Sequence, residues 1–281
     1  MKKTIISFFI FNFLISVLSA FEWPVLEINK NSFQSYFGQK RGTQISSSII
    51  FSDSQETVAV EKGRTIVVFE DEDCFFPSTL GASVIICHED NLASVYANLD
   101  KNSVLEKDVY VQGESIGTVG NTGWQEKRNT LEFQILDFKN KASINPMVLM
   151  PRNYEEPPVT ISGIKLRNKS GTMYDISEIK YLAAGTYKVY SKKNDITVPF
   201  KTNILINGIV EDAVSFDSIV HENNKILISG KRKYPSEEVY PGNNMILLGE
   251  VTLTPGKCAM VISISNLKEV VKNNTYNISI Y

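Results

Sequence analysis

From residue 57 onward the chain is a succession of short runs rich in Val, Ile and Ala, separated by turn formers. Such runs favour pleated, half-buried strands. Residues 57–60, 64–69, 82–87 and 92–97 follow this pattern. Thr65 to Phe69 and Ser83 to Cys87 read as a hairpin whose connection holds Pro77 and Gly81. Val109 to Val111, Ser115 to Val119 and Leu131 to Leu136 continue it, and Leu99 to Glu106 leaves room for one short turn. No long stretch with helical spacing follows residue 20, so the chain is expected to be mainly β.

A boundary is expected near residue 152. Pro151 to Pro158 is polar and proline-rich, and proline fixes φ and removes a backbone donor, so this stretch suits a linker better than a central strand. Beyond it, Val159–Leu166, Gly185–Ser191, Ile204–Ile209, Lys225–Ser229, Met245–Leu253, Ala259–Ile264 and Tyr276–Ile280 read as strands. Turns such as Asn207-Gly208 and Pro241-Gly242 separate several of them. Many short strands at fairly regular spacing indicate an immunoglobulin-like β-sandwich over residues 153–281.

The first 20 residues differ from the rest. Lys2 and Lys3 precede an apolar run from Ile5 to Leu18, and Ser19-Ala20 follows. This is the layout of a secretory signal peptide with cleavage after Ala20; an uncleaved anchor is the alternative. No second spanning segment follows. Export permits a disulfide, and Cys74 with Cys87 is one candidate pair; three reduced cysteines, Cys258 included, is the other reading. The formal charge of −2 argues against a nucleic-acid binder, which ordinarily carries a basic excess. There is no GxSxG elbow, phosphate loop or dinucleotide fingerprint. Cys87 beside His88 does not make a nucleophile and base, because strand neighbours point to opposite faces.

An ordered set of landmarks between Phe37 and Met150 carries a family resemblance. Thr57-Val58-Ala59 precedes Glu61-Lys62-Gly63. Val84-Ile85-Ile86-Cys87-His88 is followed by Ser94-Val95-Tyr96-Ala97-Asn98-Leu99. Val109 to Gly113 leads into Ser115-Ile116-Gly117-Thr118-Val119-Gly120-Asn121-Thr122-Gly123. Thr130-Leu131-Glu132-Phe133-Gln134-Ile135 and Asn145-Pro146 close the series. In this order the segments resemble the lysostaphin-type (LytM-like) zinc endopeptidases, over a little under half of the chain. The resemblance implies a LytM-like antiparallel β-sheet domain, a duplicated hybrid motif, over residues 21–152. The glycines permit tight turns and close backbone approach.

Members of that family hold one zinc through two histidines and an aspartate, with two further histidines assisting the bound water. Catalytic zinc needs such donors at about 2.0–2.3 Å and one open position. Carried over position by position, the first ligand histidine falls at Gln44 and the aspartate at Ser48. The histidine after Tyr-Ala is Asn98, the one opening the last motif is Thr130, and the final ligand is Glu132. Residues 25–87 contain no histidine, and the chain has only His88 and His221. His88 reads as structural or solvent-exposed, and His221 as part of a polar turn. Asp71-Glu72-Asp73 reads as a solvated loop, with calcium the alternative. One carboxylate among amides and hydroxyls binds zinc poorly, so no cofactor and no catalytic residue are expected.

The resemblance then implies an exported, non-catalytic homologue that binds or regulates cell-wall machinery in a bacterial periplasm or on the cell surface. Its partner would be peptidoglycan or a cell-wall hydrolase, with envelope proteins engaging the β-sandwich. The old groove would be lined by Gln44, Ser48, Asn98, Trp124, Thr130 and Glu132, with Trp124 offering a stacking face or packing as a loop aromatic. Two alternatives stand beside it: a diverged zinc endopeptidase cleaving wall peptides, and a structural envelope protein acting through its sandwich edges.

Overall fold

The computed structural model describes residues 21–52, 56–69, 78–124, 129–194, 196–242 and 244–281. The expected signal peptide, the Asp71-Glu72-Asp73 loop, Cys74 and Pro77 lie outside the described residues. Of the cysteines, Cys87 and Cys258 are free thiols. The fold is mainly β, as its Val- and Ile-rich runs require. None of its described helices is long and apolar enough to cross a membrane.

The front region is built around the strand Thr130–Asp137. It pairs antiparallel with Ile49–Ser52 on one side and Leu92–Ala97 on the other. Ser83–Cys87 and Gly63–Phe69 extend the sheet as the expected hairpin. Alternation sorts the side chains: Leu131, Phe133 and Ile135 face one way and are fully buried, with Phe51 and Tyr96 beside them. Thr130, Glu132 and Gln134 face the other way. Expected strands at Ser115–Thr118 and the short turn at Lys101–Ser103 are both present.

Gly120 of the Gly-Asn-Thr-Gly series, and Gly81 packed against that series, explain themselves sterically. A Cβ on Gly120 would lie 2.4 Å from the Asp100 nitrogen, and one on Gly81 would lie 2.3 Å from the Gly123 nitrogen. Thr122 fastens the same contact: its hydroxyl donates to the Leu99 carbonyl and accepts from the Ala82 N–H, both at 2.9 Å.

The stretch after residue 150 contains no strand until Lys165, yet it is not a loose tether. Tyr154 is buried, its ring edge-on to Trp23 at 5.4 Å, and Trp23 Nε1 donates to the Pro151 carbonyl at 3.0 Å. Phe33 and Phe51 complete the aromatic cluster. Each such ring pair contributes about 0.5–1.5 kcal/mol beyond its buried area.

Beyond it, Met173–Asp175, Lys165–Asn168, Gly185–Lys192 and Met245–Leu253 form a four-stranded sheet in that spatial order. It packs over a second sheet made by Val271–Ile280, Gly256–Ser265, Lys201–Ile206 and Ile209–Glu222. Asp212 ties the layers together. Its buried carboxylate accepts from Lys231 N at 2.5 Å, Ala213 N at 2.8 Å, Glu250 N at 2.7 Å and the Tyr234 hydroxyl. Gly249 leaves the room, since a Cβ there would sit 3.0 Å from the Asp212 Cβ.

The 14-residue strand Ile209–Glu222 has no counterpart among the expected runs, which stop at Ile209 and resume at Lys225. Its first half pairs with Lys201–Ile206 through the Asn207-Gly208 turn, where both residues have positive φ. Its second half pairs with Ala142–Ile144 of the front region. One sheet therefore runs unbroken from the front region into the back. The alternation of this strand is diluted by Glu211, Asp212, Ser215 and Asp217, which hides it from a composition reading. His221 accordingly lies in this strand and not in a turn; Ser143 Oγ is 2.9 Å from its Nε2.

Candidate functional site

The expected groove residues separate into exposed and buried sets. Gln44 lies on a small hairpin, Lys40–Arg41 against Gln44–Ile45, directly across from Arg41. Its side chain is exposed, and its Oε1 accepts from the Ser236 hydroxyl at 3.2 Å. Trp124 is 70% exposed, so the packed-aromatic reading does not hold; its backbone N–H alone is anchored, on Thr79 O at 3.0 Å.

Asn98, Thr130 and Ser48 correct the expectation of a groove lined by free amides and hydroxyls. Asn98 is fully buried and sits at φ 64, a conformation its short polar side chain tolerates. Its Nδ2 donates to Thr130 O at 2.6 Å and Gly120 O at 3.1 Å, and its Oδ1 accepts from Gly123 N at 2.8 Å. It is a clamp joining three segments, with its polar atoms already used. Thr130 is buried against it, Oγ1 to Nδ2 at 3.4 Å. Ser48 is buried too, its Oγ 3.1 Å from that of Ser46.

Glu132 carries the site's buried charge. It is 4% exposed and opposite Ile50 on one side and Ala97 on the other. Sheet alternation puts it on the face shared with Ser48 and Gln134. A buried carboxylate must be paired. The partner is Arg41, whose Nη1 lies 2.8 Å from Glu132 Oε1, while Gln134 Nε2 approaches the same oxygen at 3.5 Å. The Arg41 side chain stays 42% exposed, so its guanidinium meets the buried carboxylate from the solvent side.

The back region braces this hairpin. Tyr240 donates its hydroxyl to Gly38 O at 2.6 Å, and Lys40 Nζ donates to Gly242 O at 3.2 Å. Ser236 opens the short helix Ser236–Val239. Arg41, Ser236 and Tyr240 were not among the residues expected from sequence. Arg41 is 91 positions from Glu132, and no local pattern marks such a pair.

These residues do not fit a zinc ion. The amide of Gln44 is turned to Ser236, the Ser48 hydroxyl to Ser46, and the one carboxylate to a fixed cation. A divalent metal at Glu132 would have to displace the guanidinium and find nitrogen or further oxygen donors. Among the described residues no group of three or more His, Cys, Asp or Glu comes together. His88 is elsewhere, buried between Lys62 O at 3.0 Å and Ser94 Oγ at 2.8 Å, with burial pushing its pKa down. That is the structural role expected of it.

A front region of this topology, with its Gly-Asn-Thr-Gly turn and closing Asn-Pro, defines a LytM-like domain. Residues 41–146 match the sequence model of Peptidase family M23, and a second family model spans residues 158–281. The chain belongs to Peptidase family M23 through its front region. A Treponema pallidum protein is 31% identical over 125 residues, covering 38% of this chain and 80% of that protein. The murein hydrolase activator NlpD of Salmonella typhimurium is 30% identical over 135 residues, covering 48% of this chain. The chain spans only 32% of the length of that activator. The catalytic domain of lysostaphin from Staphylococcus simulans aligns with a TM-score of 0.34 at 20% identity, covering 42% of this chain and 92% of that domain.

Proposed function

We propose that the chain is an exported, non-catalytic LytM-like protein that binds or regulates peptidoglycan machinery in the bacterial envelope. One observation carries this reading: Arg41 occupies the carboxylate of Glu132, the last of the ligand positions that retains a metal donor. A protein that must activate water on a metal needs an open coordination position. Here the equivalent positions are spent on hydrogen bonds within the chain. What remains exposed is Gln44, the outer edge of Arg41 and the ring of Trp124, groups that hydrogen-bond and stack but do not hydrolyse. The similarity to a murein hydrolase activator supports a regulatory role over a catalytic one.

The test is incubation of the purified chain with purified peptidoglycan, alone and with a murein hydrolase, alongside metal analysis. The expected result is no stoichiometric zinc and no fragment released by the chain alone. Retention on the polymer, or faster release by the added hydrolase, is expected with it. One zinc per chain, with fragment release abolished by Glu132→Gln, would replace this reading with the endopeptidase one.

A further inference from the structure

We propose that the outer face of the four-stranded sheet holds a binding site for a multiply charged oxyanion, of phosphate or carboxylate type. A cavity of about 410 Å³ opens there, far from the Arg41–Glu132 pair in sequence. Four cationic side chains and one carboxylate line it: Arg167, Lys169, Lys188 and Arg232, with Glu250. The sheet register makes the cluster. Arg167 lies directly across from Lys188, and Lys188 directly across from Glu250, so three strands contribute one row.

The cations are not balanced within the cluster. Glu238 pairs with both Lys188 and Arg232, and Arg232 also reaches Glu250 at 3.2 Å. These two carboxylates hold Lys188 and Arg232 in place, and the Arg232 guanidinium also lies over the Tyr234 ring at 4.4 Å. Arg167 and Lys169 have no carboxylate partner among the described residues. The chain as a whole carries a formal charge of −2, so this concentration of positive charge is not a by-product of a basic composition.

The neutral lining suits the same ligand. Thr186 offers a hydroxyl beside the charges, while the Asn168 amide orders the turn, its Oδ1 accepting from the Ser170 hydroxyl at 2.8 Å. Lys169 sits on a tight turn in which Gly171 N donates to Asn168 O at 3.1 Å and Thr172 N to Asn168 Oδ1 at 2.8 Å, so its backbone is fixed at the cavity mouth. A guanidinium flanked by lysines matches the planar and point-charge modes by which oxyanions are held. The cavity volume falls in the range of small-ligand sites.

The experiment is an amide-resolved NMR titration of the full chain at low ionic strength, with sodium pyrophosphate in one arm and sodium citrate in the other. Sodium chloride at matched ionic strength is the control. Saturable shifts of the Gly171 and Thr186 amides are expected. Binding should be at least tenfold weaker in Lys169→Gln, an exposed turn position, and in Arg167→Gln. Pyrophosphate binding alone identifies a phosphate ligand, citrate alone a carboxylate one, and both support the site. Absence of saturation in both arms, or unchanged affinity in Lys169→Gln with its spectrum otherwise preserved, overturns the proposal.

Discussion

Arg41 and Glu132 form an ion pair at 2.8 Å in which one partner is buried and the other is 42% exposed. The asymmetry decides what each contributes. Removing the arginine strands a desolvated carboxylate, whereas removing the carboxylate leaves a cation that water can reach.

Arg41→Ala is therefore expected to cost about 1–3 kcal/mol of stability. Glu132→Gln, which keeps the shape and removes the buried charge, is expected to cost less. Urea unfolding of both variants measures the difference. Equal losses would mean that the charge on Glu132 is solvated in the folded chain.

Asn98→Ala removes a clamp whose two polar atoms make three hydrogen bonds to Gly120, Thr130 and Gly123. The partners lose their bonds inside a sealed site, so a loss of about 2–4 kcal/mol is expected. Gln44→Ala, on an exposed hairpin, should stay within about 1 kcal/mol. A thermal melt that ranks the two in the opposite order would show Asn98 to be a surface group.

Asp212→Ala leaves three backbone donors and the Tyr234 hydroxyl without their acceptor. A loss of about 3 kcal/mol or more is expected. Gly249→Ala should also destabilise, because the new methyl meets Asp212 and Ile204 at 3.0 Å. Hydrogen exchange at the Glu250 and Lys231 amides should accelerate in the first variant.

Burial lowers the pKa of both histidines below the ordinary value of about 6.5. In the window between the folded and unfolded values the unfolded chain binds more protons, so stability rises with pH there. This contribution is complete above about pH 6.5 and is lost as the pH falls below it. Urea midpoints at pH 7 and pH 5 should differ in that direction, and His88→Gln should flatten the difference.

Trp124→Ala is expected to leave stability within about 0.5 kcal/mol, since the ring is 70% exposed. The same change should lower retention on peptidoglycan and remove ligand-dependent quenching of the exposed tryptophan signal. Unchanged quenching would transfer that signal to Trp23, which is buried in the aromatic cluster.

The strands at 63–69, 83–87, 92–97 and 130–137 were legible in the sequence because Val, Ile and Ala runs and glycine punctuation are local signals. So was the scarcity of histidine, two residues in the whole chain, which is a matter of composition. Strand Ile209–Glu222 was not legible: its polar residues hide the period, and its ladder partners lie in both regions of the chain. The expected groove residues divide by burial. Gln44 and Trp124 are exposed as a binding surface requires, but Asn98, Thr130 and Ser48 are spent inside the fold.

The order of the landmarks and the residue type at each expected groove position were determined by the sequence alone. Which cation meets Glu132, and whether Asn98 faces a ligand or its own backbone, was decided only by tertiary structure. The physical reason is that a buried polar group takes whatever partner the folded chain brings within about 3 Å, and that partner stands dozens of residues away.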